Sequence, residues 1–358
     1  MTITMNGPLH QMAATTPTQY LNDSCSVTEL TYALERGTVG ATSNPVIVGN
    51  VLKKEMPLWR GWIARAIQDN PTLSETELGW KVYQELAITA AKLLMPIFEQ
   101  SGGKQGRLSI QTDPAAFNNA ETILTQARQF DALAPNMQIK LPATMAGMST
   151  VETLTYEGIS VNVTVSFSVP QVIATAERVE RGLKRRTMEG KVNSTMAPLA
   201  TMMVGRTDDW LKVVAKKNGL AVNQDHLEWG GVACFKHAYR IFEERGYQTQ
   251  LLSAAYRNFH HWTEFVGGRV SLTIPHEWQV KFNESSINPV DRMNIPVEAD
   301  VMDTLRSVPD FDKSFEEHGM KIEEFDSYGP VVRTLRSFIE AWHGFVALIR
   351  DIQLPNPD

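Results

Sequence analysis

Along this chain, short runs of β-branched and apolar residues alternate with longer stretches whose apolar positions recur every three or four residues. The first pattern fits strands buried in a parallel sheet, the second amphipathic helices packed over it. Eight runs read as strands: Thr18 to Asn22, Val39 to Asn44, Leu108 to Asp113, Met137 to Pro142, Val161 to Phe167, Thr201 to Val204, Gln250 to Tyr256 and Val270 to Ile274. The helical period fills Pro45 to Gln68, Ser74 to Glu99, Ala120 to Phe130, Thr150 to Glu157, Pro170 to Gly182, Asp208 to Lys217, Gly231 to Glu244 and Asn258 to Phe265. Eight strands alternating with helices predict an α/β fold, a (β/α)8 TIM barrel.

After Ile274 the pattern turns helical with prolines and acids, notably over Glu298 to Val308 and Val331 to Ile352. The last stretch carries Leu335, Phe338, Ile339, Trp342 and Phe345, which suit core or oligomer contacts of helices laid over the barrel. With no fixed-period repeat, low-complexity tract or linker, residues 1–17 are expected to be a flexible N-terminal segment. Residues 18–358 then form a single barrel domain with a C-terminal helical extension from about residue 291.

Composition adds exclusions. Hydrophobic residues make up 43% of the chain, enough for a large core, and the net charge of -6 gives no general attraction to nucleic acid or anionic lipid. Neither is an expected partner, and any anionic substrate must be met by local cations. Cys25 and Cys234 are too few to staple so long a chain, and the polar start lacks a signal-peptide pattern. A soluble, cytoplasmic protein is expected. His260, His261 and His276 have no carboxylate or cysteine at ligand spacing, so no metal site is expected. Gly102-Gly103-Lys104 lacks the context of a nucleotide loop.

In a barrel the chemistry sits at the C-terminal ends of the strands, and side chains of one parity point inward. In Met137-Gln138-Ile139-Lys140-Leu141-Pro142, Gln138 and Lys140 take the inward parity. Two readings of Lys140 stand: a side chain snorkelling to water, or a desolvated amine whose pKa falls until it attacks a carbonyl. The fifth strand places Asn162, Thr164, Ser166 and Ser168 inward, either as a hydrogen-bond ladder or as partners for a hydroxylated substrate and a water. Strand ends add Asp23, Asn44, Gln111, Asp113, Arg206 and Arg257, which together offer a carboxylate, amides and two guanidinium forks for an oxyanion.

These segments resemble, in order, the transaldolase family. Gly40-Ala-Thr-Ser-Asn44-Pro45 is similar to its Thr-Thr-Asn-Pro turn, and Gln138-Ile-Lys140-Leu-Pro-Ala-Thr144 to its lysine strand. Glu157-Gly-Ile-Ser-Val-Asn162-Val-Thr164, Val204-Gly-Arg206 with Asp209-Trp210, and Ala255-Tyr-Arg257-Asn258 match later strands. The resemblance implies transfer of a dihydroxyacetone unit between sugar phosphates, with no metal or organic cofactor. It puts Lys140 at the Schiff-base position, Asp23 at the carboxylate that deprotonates the C4 hydroxyl, and Thr164 at the catalytic water. It gives Asn44 and Asn162 to the dihydroxyacetone moiety, and Arg206 and Arg257 to the phosphate.

Departures bear on the outcome. Gln111 stands where most of the family has a glutamate that relays protons, a feature shared with the fructose-6-phosphate aldolase subgroup; glutamine can orient water but cannot act as an acid. Met203 replaces a phenylalanine, or the tyrosine of that subgroup, and Thr201 replaces a serine. Ala255 replaces a phosphate-binding serine, a loss of about 1.5–3 kcal/mol unless a neighbour such as Ser166 substitutes. The leading expectation is transfer from a ketose phosphate to an aldose phosphate. The rivals are an aldolase releasing free dihydroxyacetone and a non-catalytic sugar-binding barrel. A homodimer is the assembly expected.

Overall fold

The computed structural model describes residues 6–357 and shows eight parallel strands closed into a barrel in sequence order. They are β1 (Gln19–Asn22), β2 (Gly40–Thr42), β3 (Arg107–Gln111), β4 (Met137–Pro142), β5 (Val161–Thr164), β6 (Leu199–Met202), β7 (Gln250–Ser253) and β8 (Ser271–Ile274). Pairing of Leu21 with Thr273 helps close β8 onto β1. Helices alternate with the strands, so the chain is a (β/α)8 barrel with additional C-terminal helices.

The sequence runs overshoot β5 and β7. Val165 and Ala255 take left-handed backbone, with φ of 56° and 66°, a costly conformation for a residue with a Cβ that ends the pleat. Inward alternation therefore stops at Thr164, and Ser168 is no interior residue: its hydroxyl caps the helix Val169–Met188 by accepting from Gln171 N–H. The helical period from Pro45 to Gln68 divides at Glu55 into Pro45–Lys54 and Met56–Asp69, because Pro57 has no N–H with which to continue the first helix. Between β1 and β2 lies the helix Val27–Leu34, capped by Ser26, which buries only Leu30 and Ala33 and so gave little periodic signal.

The N-terminal segment, expected to be flexible, is helical over Pro8–Thr15. Leu9 and Met12 are fully buried, and the Met12 sulfur accepts the Trp262 indole N–H at 3.2 Å. Two apolar residues three apart were the only trace of this in the sequence; residues 1–5 lie outside the described residues.

Strand residues facing the helices, among them Leu108, Ile110, Ile139, Leu141, Val161 and Val163, build the main core. Inside the barrel the composition changes with depth. Leu21, Leu199 and Leu252 plug the end nearer the strand N-termini. Above them Gln138, Ser109, Asn162 and Thr201 link across four strands by side-chain hydrogen bonds of 2.8, 3.0 and 2.6 Å. An apolar plug below a paired polar layer leaves the wider, C-terminal mouth for chemistry.

The final helix, Gly329–Gln353, packs against Pro45–Lys54 and Glu75–Gln100. Trp342 stacks on Trp80 with centroids 3.9 Å apart, and Phe338 and Phe345 are buried in the same core. The aromatic face of this helix is thus used within the chain and does not call for a second copy. No helix among the described residues is long and apolar enough to cross a membrane.

Candidate active site

Lys140 is 4% exposed, and the register sets Gln111 on β3 and Asn162 on β5 directly beside it. Among the described residues its amine makes one long hydrogen bond, 3.4 Å to the Ser43 carbonyl. Burial pushes the amine below the ordinary lysine range, and the Asp23 carboxylate pulls the other way. Asp23 follows β1 at the same end of the barrel. Its Oδ1 accepts from the Thr42 hydroxyl at 2.7 Å, and Thr42 lies 2.5 Å from the Thr273 hydroxyl. Burial raises the Asp23 carboxyl, while the lysine charge and the Thr42 hydrogen bond lower it. Both groups are therefore driven toward their neutral forms, which leaves an amine able to attack and a carboxyl group able to exchange a proton.

Lys140 and Asp23 open into a cleft of about 180 Å³ that Asn44, Thr164, Met203, Arg206 and Arg257 also line. Asn44 caps the helix Pro45–Lys54 through Oδ1, accepting from Ile47 N–H at 3.0 Å. Gln111, Asn162, Thr201 and Ser166 are buried behind this wall. The amide of Asn162 donates to Ser109 and accepts from Thr201, which ties these two expected substrate contacts into the polar layer that borders the lysine.

Gln111 Oε1, Thr164 Oγ1 and Ser166 Oγ are buried without a partner. Leaving a polar atom in that state costs about 1–3 kcal/mol, so each of these oxygens calls for a partner beyond the side chains described. Gln111 is itself firmly held: the Tyr83 hydroxyl donates to its carbonyl at 3.1 Å and accepts from its N–H at 3.2 Å.

The two arginines form the other side. Arg206, in the first turn of the helix Val204–Lys217, donates to Thr334 Oγ1 at 3.3 Å, lies over the Phe338 ring, and buries an unpartnered Nε. Burial, and then the like charge of Arg257, weakens its hold on a proton. Arg257 grips Asp209 through Nε and Nη2 at 3.1 and 2.9 Å. Two cations that repel across a cleft are both stabilised by an anion placed between them.

Sequence reasoning did not nominate Glu277 and Trp278, which line the cleft from just beyond β8, nor Thr334 and Phe338 of the final helix. Glu277 and Trp278 sit in the first turn of the helix His276–Glu284, directly after the eighth strand, a position that could have drawn attention to them; the contact with the final helix depends on tertiary packing. Among the described residues no group of three His, Cys, Asp or Glu is placed to hold a metal ion.

Residues 20–349 match the family model described as Transaldolase/Fructose-6-phosphate aldolase. The chain belongs to this transaldolase family. It is 30% identical over 222 residues to a transaldolase of Acidothermus cellulolyticus, covering 59% of this chain and 56% of that protein. A transaldolase of Thiobacillus denitrificans is 32% identical over 219 residues, covering 59% and 58%. The matched region is thus a little over half the length of these curated relatives. Of the positions read from the sequence as departures from the family pattern, Gln111 lies beside the lysine, and Met203 and Ala255 line the cleft, Ala255 with left-handed backbone.

Proposed function

We propose that this chain transfers a dihydroxyacetone unit from a ketose phosphate to an aldose phosphate through a Schiff base on Lys140. The observation that carries the reading is a buried amine, depressed by its surroundings, opening with Asp23 into one cleft beneath two arginines. The amine adds to the C2 carbonyl, the Asp23 carboxyl gives its proton to the departing hydroxyl, and water leaves, giving an iminium beside an Asp23 carboxylate. Asp23 takes the C4 hydroxyl proton, the C3–C4 bond breaks, and its electron pair enters the iminium to give a neutral enamine. The aldose leaves, another enters, and the steps reverse. Thr164 and Gln111, with unpartnered oxygens near the lysine, hold the water that forms and hydrolyses the iminium.

Asn44 and the second amide hydrogen of Asn162 serve the dihydroxyacetone hydroxyls, while Thr201 holds the Asn162 carbonyl oxygen and Ser166, whose hydroxyl has no partner among the described residues, is available to the substrate. Arg206 and Arg257 hold the anionic end, with Met203 as the apolar wall between. The chemistry needs no metal or organic cofactor. Cys25 and Cys234 are buried and unpaired, which suits a reducing, cytoplasmic setting.

Gln111 favours a second reading, an aldolase that releases free dihydroxyacetone, since an amide cannot pass a proton as an acid would. A non-catalytic barrel is disfavoured, because a buried lysine with no salt bridge among the described residues costs stability and has no role there. Incubating fructose 6-phosphate with and without an aldose phosphate acceptor separates these. Donor consumption that depends on acceptor supports transfer, and full-rate release of dihydroxyacetone from donor alone supports the aldolase. Absence of turnover of any ketose, phosphorylated or not, contradicts both.

A further inference from the structure

Behind the arginine turn lies a fully buried polar pair that the reaction itself does not use. His261 is 0% and Asp208 1% exposed, and Asp208 Oδ2 lies 2.8 Å from His261 Nε2. The other ring nitrogen, Nδ1, accepts the backbone N–H of Arg257 at 3.1 Å. Asp208 Oδ1 accepts Gly231 N–H at 2.7 Å. An acceptor at Nδ1 places the ring proton on Nε2, where it is donated to Asp208, so the imidazole is neutral and its orientation fixed by two bonds.

What this pair supports is strained. Ala255, two residues before Arg257, has φ of 66° without being glycine. Such backbone persists only where its surroundings over-determine it. The helix Val204–Lys217 supplies that constraint twice: Asp208 acts on the Arg257 backbone through His261, and its neighbour Asp209 forks onto the Arg257 guanidinium. The same helix carries Arg206, so one turn of helix sets both arginines relative to each other.

We infer that Asp208 and His261 are positioning residues for anion recognition: the pair holds the Arg257 turn so that its guanidinium meets the terminal oxyanion of the substrate together with Arg206. The inference rests on the transaldolase reading for the identity of that oxyanion as a phosphate.

Three variants separate positioning from bulk. Asp208→Asn keeps the volume but leaves one acceptor where the Gly231 N–H and the ring Nε2–H need two, so either an amide N–H faces the ring and drives its proton to Nδ1, against the Arg257 N–H, or the bond that anchors position 208 to Gly231 is lost. His261→Phe keeps a ring without either bond. His261→Gln can accept from Arg257 and donate to Asp208. Calorimetry with inorganic phosphate reads the site without turnover, and KM against kcat for fructose 6-phosphate and for the addition of dihydroxyacetone to unphosphorylated glyceraldehyde reads it during turnover.

Asp208→Asn and His261→Phe are expected to weaken phosphate binding and raise KM for fructose 6-phosphate by about tenfold, with kcat and the dihydroxyacetone reaction changed less than about twofold. His261→Gln is expected to recover most of the loss. Phosphate binding within twofold of the parent in Asp208→Asn overturns the inference, as does an equal loss toward both substrates. Should His261→Phe fail to fold, the isosteric Asp208→Asn decides. A parent chain that binds phosphate but turns over no ketose tells against the transaldolase reading, whereas variants that bind phosphate as the parent does tell against the pair.

Discussion

Gly205 is where packing and function meet most tightly. A Cβ placed there would sit 1.9 Å from the Ala255 carbonyl oxygen and 2.7 Å from Arg257 Cγ. Carbon and oxygen accept an approach of about 3.3 Å, so Gly205→Ala demands a separation increase of roughly 1.4 Å. Backbone lies on both sides of the closest contact, and no flexible side chain can absorb the difference. The start of the helix Val204–Lys217 and the turn at Ala255 must part, and these carry Arg206 and Arg257. Overpacking of this kind costs about 1–3 kcal/mol, a Tm fall of about 1–4 °C, and misplacing a binding group by about an ångström costs on the order of 100-fold in rate. Thermal unfolding and kcat/KM for fructose 6-phosphate measure both effects. A variant with unchanged Tm and kcat/KM within twofold would show that the helix and the turn do not position the arginines by direct contact.

Three further outcomes follow from named groups. Asp23→Asn should lower kcat about 10²- to 10⁴-fold while leaving iminium formation at Lys140 detectable by reduction; equal loss of both would assign Asp23 to structure instead. Lys140 has its pKa lowered by folding, so the unfolded chain binds the proton more tightly, and this lysine's contribution to stability is unfavourable at neutral pH and rises with pH up to about 10.4. Lys140→Met should remove that alkaline rise, at most about 1.4 kcal/mol per pH unit, and identical pH profiles of urea unfolding would refute it. Trp342→Ala removes the ring stacked on Trp80 and should cost about 3–5 kcal/mol by urea unfolding, with a cost under about 1 kcal/mol showing that the final helix is only loosely docked.

The barrel was legible because its strands are buried on both faces and its helices on one, two patterns that a single sequence displays. Lys140 was legible because strand parity forces every second side chain into the interior, and the register with Gln111 and Asn162 confirms that parity. Parity failed at Ser168, since the left-handed Val165 breaks the alternation and no local rule marks a valine as taking that conformation. Asn162 and Thr201 are nominated by strand position and family resemblance, and the 2.6 Å hydrogen bond between them is a cross-strand feature that neither shows. His261 was visible as a histidine without a metal partner. Its partner Asp208 sits 53 residues away on another element and could not be paired with it by spacing. The short N-terminal helix and Val27–Leu34 escaped for the opposite reason: each buries two side chains, too few to set a period.

The central claim is that the Lys140 amine becomes bonded to the carbonyl carbon of a ketose. Borohydride reduction in the presence of dihydroxyacetone, followed by peptide mass mapping, tests it directly. The account predicts one reduced adduct on the peptide containing Lys140, absent from Lys140→Arg together with all ketose turnover. An adduct on another lysine, or full turnover by Lys140→Arg, would contradict it.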